Sequence, residues 1–322
     1  MADAPVASSP VAIPNVFANL GVGFLGVIAS SIVYGITCIQ TFQYYHSRRS
    51  KSDHASLRYL VLILWILDSV HESFAIQMFY FYLVENFDNP SAGDVALWSL
   101  PACILVNGFI QLSVKTYYIM RIWRFSRNPY LVALCSVLNV VRFGLNMYYP
   151  ARFFSLMPTG GTRSEIENKL QVFGTTGLGL EALTGALISA TGVYEMLKRR
   201  GSVRRSNDII VRMVIITVAT GTLSALFVTA NFITYLAAPK TLYVLFFNFL
   251  IGKMDINALL TSLNGRKYIV GDRTNPISLS EISDLASSRG HTASLGAAGE
   301  LAETRSKPVV CKVDIERAYS EM

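Results

Sequence analysis

Seven apolar stretches of membrane-crossing length, separated by short polar loops, constrain this chain more than any other feature. They run at roughly 16–45, 57–84, 98–122, 130–154, 170–196, 209–236 and 241–263. An α-helix rises about 1.5 Å per residue, so about 20 apolar residues cross a hydrocarbon core of about 30 Å. The pattern predicts an all-α integral membrane protein, a seven-transmembrane helix bundle whose first partner is the lipid bilayer. Only 15% of the 322 residues are charged and 52% are hydrophobic, whereas a soluble domain carries about 25% charge. The expected divisions are an N-terminal arm at 1–15, the bundle at 16–267 and a cytosolic tail at 268–322. The tail is rich in Ser, Ala, Gly and charge and poor in aromatic residues, a composition expected to stay disordered. These divisions leave no room for a separate soluble enzyme domain.

The loops set the expected orientation. Lys and Arg gather in alternate loops: Arg48, Arg49, Lys51 and Arg58; Arg121, Arg124 and Arg127; Lys198 to Arg212; then Arg266, Lys267 and Arg273. Cytoplasmic loops carry such an excess, so the N-terminus is expected outside and the C-terminus in the cytosol. Tyrosines and tryptophans at the span ends, such as Tyr44, Trp98, Trp123, Tyr149 and Tyr235, fit rings seated at the headgroup level. Met1–Pro14 carries no Lys or Arg, so the first span is expected to act as an uncleaved signal anchor. The net charge of +7 follows from orientation and does not call for nucleic acid. Of the four cysteines, Cys38, Cys103 and Cys135 fall in spans and Cys311 in the tail, which predicts no structural disulfide.

Ionisable residues inside spans are costly and usually face the bundle interior. The candidates are Asp68, His71 and Glu72 in the second span, Arg142 in the fourth, Glu181 in the fifth, and Lys253 and Asp255 in the seventh. Offsets of three and four residues put Asp68, His71 and Glu72 on one helix face. Lys115, nearer a span end, is expected to snorkel. Acids nearly balance bases, which predicts an intramembrane polar network. Asn107, Gln111, Asn139, Asn146, Asn231, Asn248 and Asn257 add amides. Such a network either fixes helix packing or builds a ligand pocket, a proton relay or an ion path.

Enzyme chemistry finds little support. A zinc hydrolase needs several ligands, commonly His, and only His71 lies in a span. No serine stands in a G-x-S-x-G elbow, and no cofactor motif is present. Gly21 to Gly26 matches G-x-G-x-x-G, but it opens a span with no preceding strand, so small-residue helix packing is expected. The same holds for Gly174, Gly177, Gly179, Gly185 and Gly192 in the fifth span. Prolines are expected only in loops, tails or near span ends. Lys253 raises a retinal Schiff base, but the third span supplies no carboxylate, and pairing with an intramembrane acid is the simpler expectation.

Four stretches carry a family resemblance: Tyr34 to Phe42, Leu64 to His71, Arg121 to Ser126 and Asn257 to Arg266. Together, in order, they resemble a large family of fungal seven-helix membrane proteins that carry a domain of unknown function and abound in mushroom-forming fungi. The resemblance spans about 20–267 and implies architecture alone, with no reaction, ligand or functional residue to carry over. The third span ends Met120-Arg121-Ile122-Trp123 and the seventh has no Asn-Pro-x-x-Tyr, which argues against a rhodopsin-like receptor. The leading expectation is a non-enzymatic sensor or receptor-like protein, more at home in the plasma membrane than in an internal one. Its small-molecule or lipid ligand would sit near Asp68, His71 and Glu181, and the basic loops and tail would meet a cytosolic partner. The alternatives are an ion- or proton-coupled transporter and a membrane scaffold or lipid-interacting protein.

Overall fold

The structure is a computed structural model of the full chain. It describes residues 14–47, 50, 53–87, 89–125, 129–198, 221, 223–237 and 243–265. All of these lie within the unit Met1–Gly271; a second unit, Asp272–Met322, lies outside them, as does the expected disordered tail. Most of the basic loop residues that set the expected orientation also lie outside the described residues.

Among the described residues the chain forms seven helices: α1 (Pro14–His46), α2 (Ala55–Tyr80), α3 (Ser99–Phe125), α4 (Pro129–Leu156), α5 (Arg163–Lys198), α6 (Leu223–Ala237) and α7 (Tyr243–Asn264). Five segments are long and apolar enough to cross a membrane: Leu20–His46, Ala55–Glu85, Pro129–Thr159, Arg163–Glu195 and Tyr243–Asn264. Helix α3 has 27 residues and spans about 40 Å. It is less apolar because Asn107, Gln111 and Lys115 interrupt it.

Helix α1 lies along α7 and beside α2, and α3 touches α2, α4, α5 and α7, which makes it the inner strut of the bundle. Helix α6 meets α5 where Phe232 rests on Gly179, and α7 where Phe227 and Phe247 stack edge to face. The outer surface is apolar: Ile32, Val140 and Leu226 are each 64% exposed. Ser30, Thr37, Asp68, Arg142, Thr184 and Asn231 are instead fully buried. Apolar residues outside and charged residues inside is the arrangement expected where the surroundings are hydrocarbon, since large exposed apolar patches are rare in soluble monomers.

Local sequence explains several boundaries. Helix α2 runs on into one turn of π-helix, Phe81–Glu85, and a short 3-10 turn, Pro90–Asp94, follows. Proline opens α4, where its missing N–H is harmless, and Pro101 sits in the first turn of α3 as expected. Pro150, near the end of the fourth span as expected, lies in the last two turns of α4, where it withholds the hydrogen bond owed to the Asn146 carbonyl. Gly160, at φ +75°, closes the turn after α4 in the left-handed region that glycine adopts freely.

Helix α5 begins seven residues before the apolar run. Thr162 Oγ1 accepts the backbone N–H of Glu165 at 3.4 Å, and Asp94 accepts both the N–H (3.0 Å) and the hydroxyl (2.8 Å) of Ser164. Thr162 to Glu165 is thus a capping sequence of the T-x-x-E kind. It draws Arg163, Glu165, Glu167 and Lys169, expected in a loop, into the first turns of α5.

The glycines act mainly at helix contacts. A Cβ on Gly23 would strike the Phe79 ring, and one on Gly26 would lie 2.7 Å from Phe246 Cα, so α1 and α7 approach backbone to backbone there. Gly26→Leu is expected to push these helices apart at a cost of about 1–3 kcal/mol. Gly21→Leu, whose Cβ meets nothing within 4 Å, serves as the matched control in a detergent melt. Equal melting of the two variants would contradict the close approach.

Candidate functional site

The seven ionisable residues singled out from the sequence are all buried, but they form two groups rather than one. The first joins α1, α2 and α7. Lys253 Nζ donates to Asp68 Oδ1 at 2.7 Å and lies 3.0 Å from Glu72 Oε2. Both oxygens of Glu72 also accept serine hydroxyls, Ser30 on Oε2 and Ser31 on Oε1, each at 2.6 Å. The Lys253 ammonium stands 5.2 Å from the centre of the Tyr34 ring, and Tyr34 in turn pairs with Ser69 at 2.8 Å. Asn257 donates to Thr37 Oγ1 at 2.9 Å. Asp68 Oδ2 has no hydrogen-bond partner, nor does either ring nitrogen of His71. His71 packs edge-on against Phe249, and its carbonyl faces the Cys103 thiol at 3.8 Å. Two carboxylates therefore surround one ammonium.

The second group joins α3, α4, α5, α6 and α7. Arg142, fully buried, donates from Nη1 to Gln111 Oε1 at 2.5 Å and from Nη2 to Asn139 Oδ1 at 3.5 Å. Its Nη1 is 3.9 Å from Glu181 Oε2. Lys115 Nζ donates to the same Gln111 oxygen at 3.3 Å. Lys115 therefore turns inward, contrary to the snorkelling expected of it, because Gln111 one turn back supplies an acceptor. Asp255, two residues from Lys253 in the chain, accepts the hydroxyl of Ser224 on α6 instead.

Two cavities meet at this second group. One lies at the end of the bundle where α3 begins and encloses about 880 Å³ including its mouth. Asn107, Gln111, Asn146, Glu181, Asn231 and Asn248 line its polar part, and Arg163 and Glu167 stand on its wall. The other lies where α3 ends and encloses about 790 Å³ including its mouth, against Lys115, Tyr118, Glu181, Ser224 and Asp255. Glu181 belongs to both walls. The glycines of α5 help to open this space: Gly177 and Gly185 line the cavities with nothing within 4 Å of a would-be Cβ, while Gly174 lets Tyr235 lie against α5. Tyr149 and Tyr235, expected at the headgroup level, face the first cavity. Tyr44 is likewise buried, with its hydroxyl on Asp53 at 3.0 Å.

The first cavity holds polar atoms without partners. Both amide atoms of Asn231 and Glu181 Oε1 make no hydrogen bond; Asn107 Oδ1 makes none either but lies against Gly252 of α7, while the Asn107 amide donates to Asn248 Oδ1 at 3.3 Å. Buried polar groups are nearly always satisfied, so such atoms around an open space mark a place built to receive something polar. Asp68, His71, Glu72 and Lys253 do not line either cavity. Reading the sequence did not single out Ser30, Ser31 and Ser224. A serine pair in the middle of an apolar span was the available signal for the first two. Among the described residues no group of three His, Cys, Asp or Glu could hold a metal ion.

A family of unknown function (DUF6534) is matched over residues 181–268. The match begins at Glu181 and takes in Asn231, Lys253 and Asp255, while Asp68, His71, Glu72 and Arg142 lie outside it. No curated protein and no solved structure gives a match.

Proposed function

We propose that this chain is a seven-pass membrane sensor, receptor-like and non-enzymatic, whose ligand occupies the cavity between α3, α4, α5, α6 and α7. The single observation that carries this reading is the set of unpartnered buried atoms on Asn231 and Glu181, two residues that line that space. The ligand position expected from sequence, near Asp68, His71 and Glu181, contracts to Glu181. The Asp68–Lys253–Glu72 group takes the part of a packing element between α1, α2 and α7. An N-terminus outside, a cytosolic C-terminus, residence in the plasma membrane and kinship with the fungal seven-helix proteins belong to this proposal. They are supported by the loop charges and by the four sequence stretches. On that orientation the cavity opens outward, and the basic loops and tail carry output to a cytosolic partner.

The test is a melting screen of the protein in lipid nanodiscs against sterols, lipids, small metabolites and metals. A ligand at 100 times its Kd stabilises the folded state by about 2.7 kcal/mol. The expected outcome is a hit that disappears in Glu181→Gln and shows no flux in proteoliposomes. Transport is the second reading, favoured by two cavities that share the Glu181 wall from opposite ends. Saturable flux of the hit, lost in Glu181→Gln, would establish it instead.

A further inference from the structure

The unpartnered atoms of the first cavity specify the chemistry of its occupant. This step rests on the ligand-pocket reading above. Glu181 Oε1 can only accept, and Asn231 offers one acceptor and one amide NH2. Exchanging the oxygen and nitrogen of Asn231 leaves that tally unchanged. The occupant must therefore bring a donor, and it can accept from the two N–H of the amide in return.

Charge narrows the class. The charged groups on the cavity wall are Arg163, Glu167 and Glu181; Arg163 pairs with Glu167 at 2.9 Å and Arg142, behind the wall, stands 3.9 Å from Glu181, so each charge already has its counter-ion. An added unit charge would have no counter-ion there, and an unpaired buried charge is costly. A carboxylate would also face the acceptors of Glu181 and Asn231. An ammonium would satisfy those acceptors but leave a net positive charge beside Arg142. A hydroxyl donates once and accepts twice, so it serves both kinds of vacant partner without adding charge. Elsewhere Leu100, Ile104, Leu145, Leu178 and Leu245 line the wall, which suits an apolar body.

We propose that this cavity binds an uncharged amphipathic molecule through a hydroxylated head placed between Glu181 and Asn231. Such a molecule can arrive from water or from the bilayer, and the experiment separates the two. Protein in phosphatidylcholine nanodiscs is melted with octane-1,2-diol, octylamine and octanoate, matched in chain and differing in head. Monoolein, a membrane-resident diol, is tested in parallel. The diols are expected to raise Tm where the amine and the acid do not. A greater effect of monoolein assigns the lipid source, and a greater effect of octanediol the aqueous one. The rise should vanish in Gly177→Leu, where the new side chain enters open space and fills the cavity without disturbing a contact. In Asn231→Leu the diol should bind at least tenfold more weakly. An equal or larger rise with octylamine or octanoate, abolished by Gly177→Leu, would overturn the hydroxyl assignment and leave the pocket standing. A diol effect that survives both variants would place binding elsewhere. No effect from any probe would leave a cavity that holds only water and would defeat both readings.

Discussion

Lys253→Met is expected to destabilise the bundle by about 3–5 kcal/mol, the usual cost of removing one partner from a buried ion pair. The ammonium, 1% exposed, holds Asp68 at 2.7 Å and Glu72 at 3.0 Å. Without it two carboxylates face each other in a space that water does not reach. The loss should come mainly from those stranded charges rather than from the missing attraction. The triple variant Lys253→Met, Asp68→Asn, Glu72→Gln is therefore expected to recover most of the stability, since replacing a whole buried ionic group is often close to neutral. Melting the unaltered protein and both variants in the same detergent decides the matter. A triple variant as unstable as Lys253→Met would show that the residues act independently. The serines sharpen the expectation for the two acids. Glu72 has a donor on each oxygen besides Lys253, whereas Asp68 Oδ2 has none. Asp68→Asn alone should thus cost less than Glu72→Gln.

Arg142→Met is expected to cost a similar 3–5 kcal/mol, and here the conservative change is informative. The guanidinium serves Gln111 and Asn139 from separate nitrogens and stands beside Glu181. Lysine carries a single charge on a flexible stem and cannot reproduce a planar fork. Arg142→Lys should keep the charge balance but lose the geometry and recover only part of the loss. Because Glu181 forms a wall of both cavities, ligand binding should weaken in Arg142→Lys beyond what its melting temperature explains. Full recovery of both stability and binding by lysine would show that charge alone matters at this position.

These two residues also show how far the sequence could be read. Periodicity put Asp68, His71 and Glu72 on one face, and the structure buries all three. An intramembrane acid was the expected partner of Lys253, but which acid depended on how α2, α3 and α7 rotate against one another. Asp255, two residues away, was an equally good candidate by composition. On a helix two residues differ by about 200°, since each step turns by about 100°. That rotation sends Lys253 toward α2 and Asp255 toward α6. Glu181 was legible as a buried charge, while its place between two cavities depended on the glycines of α5 facing inward. Helix lengths were legible wherever apolarity ended them. The start of α5 was not, because a polar capping sequence extends it beyond the apolar run.

Helix α3 has a consequence for how the chain enters a membrane. In its polar stripe Lys115 turns back on Gln111, but Asn107 and Gln111 find partners on neighbouring helices, Asn248 on α7 and Arg142 on α4. Presented alone to an insertion machinery that weighs each segment by its own transfer energy, α3 is the least persuasive of the long helices. Its partners α4 and α7 emerge from the ribosome after it. On the seven-pass reading proposed above, the strut at the centre of the finished bundle is thus the segment whose commitment to lipid depends most on helices not yet made.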